Sequence, residues 1–283
     1  MTSCVPCNSI ASVDLHAAFL SAYSDYLVRF DVALEQWPTL LARHGVDLGL
    51  SRAVIDADGR ILAFALASQR PEGSRFRRLA SLGVVVAARR AGHGARLLDD
   101  FIARATADGL GTELEVFAQN EKALRLYESR GLATASPLFG YVAEPSKVPT
   151  TSVCTPGYLD ASAAFAYLAS LPLAMDLPLQ VLPTTLRLSS APFECWKLGD
   201  ALLVFAAKDD ATVQVACLVD PSPSQQDARL LAQELRHRFA DATCSVPPLQ
   251  RLDAGGLGLE DAGFERMPLH QLLLRRPCQL SKP

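Results

Sequence analysis

RRAGHGARLLDDF, residues 89–101, sets two arginines and two glycines directly before an apolar run with helical spacing. Glycine is costly in a regular element, by about 0.5–1 kcal/mol relative to alanine. A pair of them where a helix begins points to a place where something must approach the backbone closely. A helix N-terminus exposes four unpaired N–H groups and about half a positive charge. A glycine-rich entry lets an anion reach those groups with no Cβ in the way, and flanking arginines add bidentate donors. The turn therefore suits a phosphate or diphosphate. The same pattern also suits a tight strand-to-helix turn with solvated arginines, so the surrounding elements must decide.

Upstream, "DLHAAFLSAYSDYLVRF" (14–30) and "DVALEQWPTLLARHG" (31–45) carry apolar residues at helical spacing, with Asp14 as an N-cap and Gly45 as a stop. "SRAVIDADGRILAFALASQ" (51–69) reads as strand, Asp58-Gly59 turn and strand. "FRRLASLGVVV" (76–86) is a third strand whose continuous apolar end implies burial on both faces. Downstream come the helix 94–109, the strand "TELEVFA" (112–118), the helix "NEKALRLYESRG" (120–131) with Asn120 at its cap, and the strand 133–143. Hairpin-linked strands followed by alternating strands and helices predict an α/β fold with a mixed sheet, its later strands parallel through right-handed crossovers.

A Pro-, Ser- and Thr-rich stretch, 146–157, reads as a linker between a first domain, 1–145, and a second, 158–283. The second reads as a helix at 158–171, a three-strand meander over 194–220, an amphipathic helix over 224–241 and a turn and strand over 262–276. The halves resemble each other. Ala95-Arg96-Leu97-Leu98 recurs as Ala228-Arg229-Leu230-Leu231, an offset of 133, and "YESRGLATASPLFGYV" resembles "LEDAGFERMPLHQLLL" at 132. Arg89, Gly92 and Gly94 then correspond to Ser222, Gln225 and Asp227, and Asn120 and Tyr127 to Leu252 and Leu259. The second copy has lost the glycines and the arginine and gained a carboxylate, so it should reject any anion the first one takes.

Bulk properties narrow the field. The chain has 283 residues, 49% of them apolar, and a net charge of −3, which gives no basic surplus for a nucleic-acid partner. No apolar run of membrane length is free of breakers, Pro172, Asp176 and Pro178 interrupting the best, and the N-terminus does not read as a signal peptide; the expectation is a cytoplasmic protein without membrane partner. Seven cysteines, mostly in apolar runs, read as buried thiols. Cys4 and Cys7 form a lone CxxC in a terminal tail, without a second pair or nearby histidines, so neither metal nor redox chemistry is expected.

A P-loop would need GxxxxGK before Ser or Thr, and a dinucleotide fold GxGxxG after its first strand; neither is present. The chain instead resembles the GNAT superfamily of acyl-CoA-dependent N-acyltransferases, over about residues 14–145. Arg89-Arg90-Ala91-Gly92-His93-Gly94 fits that family's Arg/Gln-x-x-Gly-x-Gly/Ala turn. "LEVFAQNEKALRLYESRGL" fits its second motif with Asn120, Ala123, Tyr127 and Gly131, Leu132 standing where Phe is usual. Val86-Ala87 stand where many members carry proline. The resemblance implies a GNAT-like fold in two tandem copies, the second degenerate. It implies acetyl-CoA as co-substrate, its pantetheine on the backbone of Val84, Val85 and Val86. Its diphosphate would sit on the turn of Arg89, Arg90, Ala91, Gly92, His93, Gly94 and Ala95, with Asn120 and Tyr127 also at the donor.

Transfer would be direct attack by a primary amine of a small molecule or peptide, with Tyr127 protonating the departing thiolate. Alternation places Glu113 and Glu115 on one face of their strand, which makes Glu115 the candidate base, directly or through water, or else an ordinary paired glutamate. Tyr23, Asp25 and Tyr26 are candidates to meet the amine, or form a plain surface helix end. A non-catalytic acyl-CoA sensor on the same fold is the competing expectation.

Overall fold

The computed structural model describes residues 2–68, 73–145 and 151–278. Gln69, at the end of one expected strand, and 146–150 of the expected linker lie outside the described residues. Contacts divide the chain into two units that interleave in sequence. One comprises Met1–Val116, Asn120–Ala135 and Leu274–Pro283; the other comprises Phe117–Gln119 and Ser136–Leu273. A single cut at residue 145 does not reproduce this division, because the strand following residue 133 and the last strand of the chain each carry residues of both units.

The first unit opens with β1 (Ser3–Pro6), α1 (Ser12–Ala22), α2 (Trp37–Arg43), β2 (Val46–Ile55), β3 (Ile61–Ser68) and β4 (Phe76–Val84). It continues through α3 (His93–Ala107), β5 (Gly111–Phe117) and α4 (Glu121–Glu128). β1 to β4 pair antiparallel in sequence order, and β5 runs parallel to β4. The Asp58-Gly59 turn forms as expected: Gly59 has φ +80°, and the Asp56 carboxylate accepts from the amides of Asp58 and Arg60. α1 ends eight residues before the helical spacing does. The Ser24 hydroxyl turns back onto the Ser21 carbonyl at 3.0 Å, offering the chain an alternative to helix. β2 starts at Val46, earlier than expected, because an irregularity between Asp47 and Arg52, where Asp47 caps the amides of Gly49 and Leu50, hides its beginning.

The β4–β5 pairing sets the site. These strands are in register only over Phe76–Arg78 with Gly111–Glu113. Beyond them β4 bulges at Ala80, since Leu66 faces Ser81 while Ala67 faces Leu79. From there to Val84 one edge of β4 has no strand partner among the described residues. Leu15, Phe19, Ala22 and Trp37 pack on Phe64 and Leu66 to form the core beneath. Gly83 is part of that packing: a Cβ there would lie 2.3 Å from Phe64 Cζ and 3.0 Å from Ala22 Cβ. Because Phe64 is fully buried, it cannot step aside. Gly83→Ala is expected to destabilise the first unit by about 2–3 kcal/mol, read by denaturant titration, as overpacked cores do; a change under about 0.5 kcal/mol would show the ring has room.

The second unit contains most of β6 (Ala133–Ala143), then β7 (Gly157–Leu159), α5 (Ala161–Ser170), α6 (Pro183–Leu186), β8 (Glu194–Leu198), β9 (Ala201–Asp209) and β10 (Thr212–Val219). It goes on through α7 (Gln226–Arg238), β11 (Thr243–Arg251), α8 (Gly256–Asp261), β12 (Glu265–Arg266) and the start of β13 (Gln271–Arg276). β7 to β10 pair antiparallel in order, β11 is parallel to β10, and β6 and β12 are antiparallel. The order meander, helix, parallel strand, helix is therefore that of the first unit. The likeness extends to detail. β10 and β11 are in register over three pairs, Thr212–Gln214 with Thr243–Ser245, and β10 bulges at Ala216, two residues past the last pair, as β4 does at Ala80. β11 and α8 go beyond the elements expected from sequence, since Pro247, Pro248 and the glycines at 255, 256 and 258 obscure them.

Candidate active site

β4 delivers its apolar end, Val84, to a 3-10 turn over Val86–Ala88, and the chain then reverses into α3. Two residues take the left-handed conformation in that reversal, Arg90 (φ +67°) and Gly92 (φ +79°), the latter being the cap of α3. Only glycine adopts such a φ at no steric cost. Gly94 differs: a Cβ there would lie 3.4 Å from Val84 Cγ2, an ordinary contact, so its bareness leaves the helix mouth open and is not required by the packing. No side chain caps α3, and its first amides, His93 to Ala95, have no intrahelical acceptor. Val85 N–H donates to Leu62 O at 3.0 Å, and Val86 is 47% exposed. An uncapped helix mouth thus adjoins a strand edge that pairs with no strand among the described residues, although the Tyr23 hydroxyl donates to Leu82 O and Arg89 Nε to Val84 O; backbone N–H groups in such places require a partner.

The side chains around this mouth fall out only partly as their spacing suggested. Asn120 caps α4, its Oδ1 accepting from Ala123 N at 3.2 Å, and also hydrogen-bonds Tyr26. Tyr127 is buried, and its phenol is pushed above the ordinary range, first by desolvation and then by the neighbouring Tyr23 and Tyr26. Tyr23 shares a 2.7 Å hydrogen bond with the Ser81 hydroxyl just past the bulge; burial pushes it up to about 12. Tyr23, Tyr26 and Tyr127 therefore gather in one region. Ser81 was not singled out in the sequence, where a serine between alanine and leucine carries no signal.

Two expectations are affected. Glu115, read as a candidate base or else an ordinary paired glutamate, is bound to Arg78 at 2.6 Å in an ion pair whose side chains are 2% and 3% exposed. The paired alternative is the one the structure shows; that its partner is an arginine on β4 was not read from the sequence. Arg89, read as a phosphate donor, turns away from the α3 mouth. Its Nη1 and Nη2 donate to Asp25 at 2.6 and 2.7 Å, Nη2 also donates to Ala22 O, and Nε reaches Val84 O at 3.4 Å. Asp25 is committed by the same contact, which holds its carboxyl below the usual range. Among the described residues no group of His, Cys, Asp and Glu is placed to hold a metal ion, and no helix is long and apolar enough to cross a membrane.

His44, also missed, sits near the Arg78–Glu115 pair. Burial and then the Arg78 charge press its imidazole down to about 4, and its Nδ1 is buried without a partner. The folded protein thus prefers the neutral ring, while the unfolded chain takes up a proton near pH 6.5. Stability should therefore be complete above pH 6.5 and fall as pH drops toward 4, by about 3 kcal/mol in all from this group. Denaturation midpoints of His44→Gln should lack that part of the slope; an unchanged slope would assign it elsewhere.

The second unit has the same architecture at its own helix mouth, but closed. Gln225 occupies the cap of α7 in the left-handed conformation (φ +48°), the place of Gly92. Its Oε1 accepts from Gly255 N and Gly258 N, and its Nε2 donates to Leu252 O. The fully buried Asp220 carboxylate accepts from Ser222 N at 2.8 Å and from Ala228 N, in the first turn of α7, at 3.0 Å. Gln250 donates to Leu218 O, near the end of β10, at 3.0 Å. Asp220 thus supplies an acceptor to Ala228 N, the counterpart of Ala95 N in the first unit, and Gln250 a donor to a carbonyl near the end of β10, while Gln225 ties the start of α7 to the segment entering α8.

Residues 14–132 match the family model described as acetyltransferase (GNAT) family. Among solved structures, the chain is similar to a GCN5-related N-acetyltransferase from Sphaerobacter thermophilus, with TM-score 0.64 and 14% identity, 99% of this chain covering 97% of that one. It is also similar to a GCN5-related N-acetyltransferase from Kribbella flavida (0.60, 15%, 98% of this chain and 71% of that). Eis1 from Mycobacterium abscessus follows (0.59, 14%, 99% and 74%). At such identities the likeness is one of fold. No curated protein matches the chain.

Proposed function

We propose that this chain, whose residues 14–132 match the acetyltransferase (GNAT) family model, transfers an acetyl group from acetyl-CoA to a primary amine of a small molecule or peptide. The observation that carries the reading is the uncapped N-terminus of α3 beside the stretch of β4 that has no strand partner among the described residues on one edge. In this reading the diphosphate rests on the amides of His93, Gly94 and Ala95, with Arg90 and Ala91 in the turn. The pantetheine amides pair with backbone at Val84 and Val86, and an N–H of that edge polarises the thioester carbonyl as an oxyanion donor does.

The amine attacks the carbonyl carbon directly, the C–S bond breaks, the leaving thiolate takes a proton from the Tyr127 hydroxyl, and the proton lost by the nitrogen passes to solvent, from which the phenolate is reprotonated. Burial raises that phenol, which keeps it protonated until the thiolate forms, while the same burial disfavours the phenolate that donation leaves. We assign no base, because Arg78 holds Glu115 and Arg89 holds Asp25. Most of the acceleration comes from holding the two substrates in line. The second unit is a degenerate copy whose donor mouth its own side chains fill.

Calorimetry with coenzyme A, ATP and NAD tests the donor half: coenzyme A alone should bind. A thiol-release assay with acetyl-CoA and a panel of primary amines (spermidine, tyramine, a glycine-initiated peptide, a lysine-bearing peptide) tests the transfer. Binding of ATP or NAD in preference to coenzyme A would overturn the reading.

A further inference from the structure

The segment between α1 and α2, residues 23–33, has neither helix nor strand, yet several contacts anchor it. At its far end His16 Nε2 hydrogen-bonds Val32 O at 2.8 Å. In the middle Tyr26 reaches Asn120, and Tyr23, Tyr26 and Phe30 pack ring on ring with centroids 5.1–6.1 Å apart. At its near end the anchor is Arg89. Four hydrogen bonds from that one guanidinium join three pieces of chain: the last carbonyl of α1 (Ala22), the carboxylate of Asp25 and the last carbonyl of β4 (Val84). Only a planar fork does this; a lysine ammonium is a single point.

We propose that Arg89 is a strut between the donor strand and the 23–33 segment, and not a ligand of the diphosphate. Calling that segment the amine side of the cleft rests on the acyl-transfer reading; the strut itself does not. Two features argue for the assignment. Four of the five guanidinium donors are already engaged, none of them at the α3 mouth. The paired Asp25 cancels the arginine's charge, so little net positive field from Arg89 reaches an incoming anion. The strut makes Arg89 and Asp25 positioning residues: they fix where the Tyr23–Tyr26 stretch stands relative to Val84, the end of the strand that would carry the thioester.

Arg89→Ala and Asp25→Asn test this in the full-length chain through two independent readouts. Amide exchange over residues 24–29 should quicken about tenfold in both variants, while residues 31–33, tied by His16, keep their parent rate. Coenzyme A affinity, measured by calorimetry, should stay within twofold of the parent in both. In turnover with acetyl-CoA and the best amine of the panel above, KM for the amine should rise about tenfold, with that for acetyl-CoA unchanged. A tenfold loss of coenzyme A affinity in Arg89→Ala, with Asp25→Asn unchanged or tighter, would make Arg89 a diphosphate ligand and end the proposal. Unchanged exchange over 24–29 would end it equally. If the parent protein bound no coenzyme A, the acyl-transfer reading would fall, and the exchange result alone would decide the strut.

Discussion

Tyr127→Phe is expected to lower kcat by about 100-fold or more while coenzyme A binds within twofold of the parent, since general acid catalysis supplies about 10²- to 10⁴-fold. The change removes one oxygen from a side chain that is 8% exposed, on a helix whose other anchors remain: the Asn120 cap and the Arg130–Asp99 ion pair at its end. Folding should therefore be unaffected, and a thermal midpoint within a degree or two of the parent would establish that. The pH profile adds a second check. Burial pushes the phenol upward from its ordinary value near 10, so proton donation from Tyr127 persists to high pH and contributes no falling limb below about pH 10. A variant that kept full turnover would move the proton-donor role off this residue. A chain that bound coenzyme A but turned over none of the amines, before or after the substitution, would favour a sensor built on the same fold.

How much of this was legible beforehand depends on whether a feature is local in sequence. The glycine turn was legible because its requirement is local: a left-handed cap and a bare second position are properties of Gly92 and Gly94 themselves. The α3 pattern was legible for the same reason, with Leu97, Leu98, Phe101 and Ala105 buried along one face. Asn120 declared itself as a cap because the amide that donates to it lies three residues on. What stayed hidden is long-range pairing. The partner of Glu115 could not be named because the arginine that holds it lies 37 residues away on another strand, and Arg89 looked free because Asp25 lies 64 residues away. The early end of α1 escaped because apolar spacing continues through Leu27 and Phe30, while Ser24 turns back onto Ser21 O in the last turn and Asp25 pairs with Arg89. Neither spacing nor composition could locate the unit boundary, since residues of the first unit return after 273.

The lost glycines of the second unit gain a physical meaning through Asp220. Asp220→Ala is expected to destabilise that unit by about 3 kcal/mol, because two N–H groups, one of them in the first turn of α7, lose a charged acceptor in a place where water does not reach. For a unit of this size that corresponds to a fall in midpoint on the order of 10 °C. Asp220→Asn retains one carbonyl oxygen and should cost about half as much. The carboxylate stands where an anion would meet a helix dipole, which is why its loss costs more than an ordinary hydrogen bond. Gln225 ties the start of α7 to the segment entering α8: its amide makes three hydrogen bonds, which offset the strain of holding a non-glycine residue at φ +48°. Opening this mouth therefore means breaking buried bonds, with no gain until a ligand arrives. Calorimetry should accordingly find one coenzyme A per parent chain, and still one in Asp220→Asn. A stoichiometry of two in the parent would show that these side chains yield to the donor, and the second unit would then be a working site.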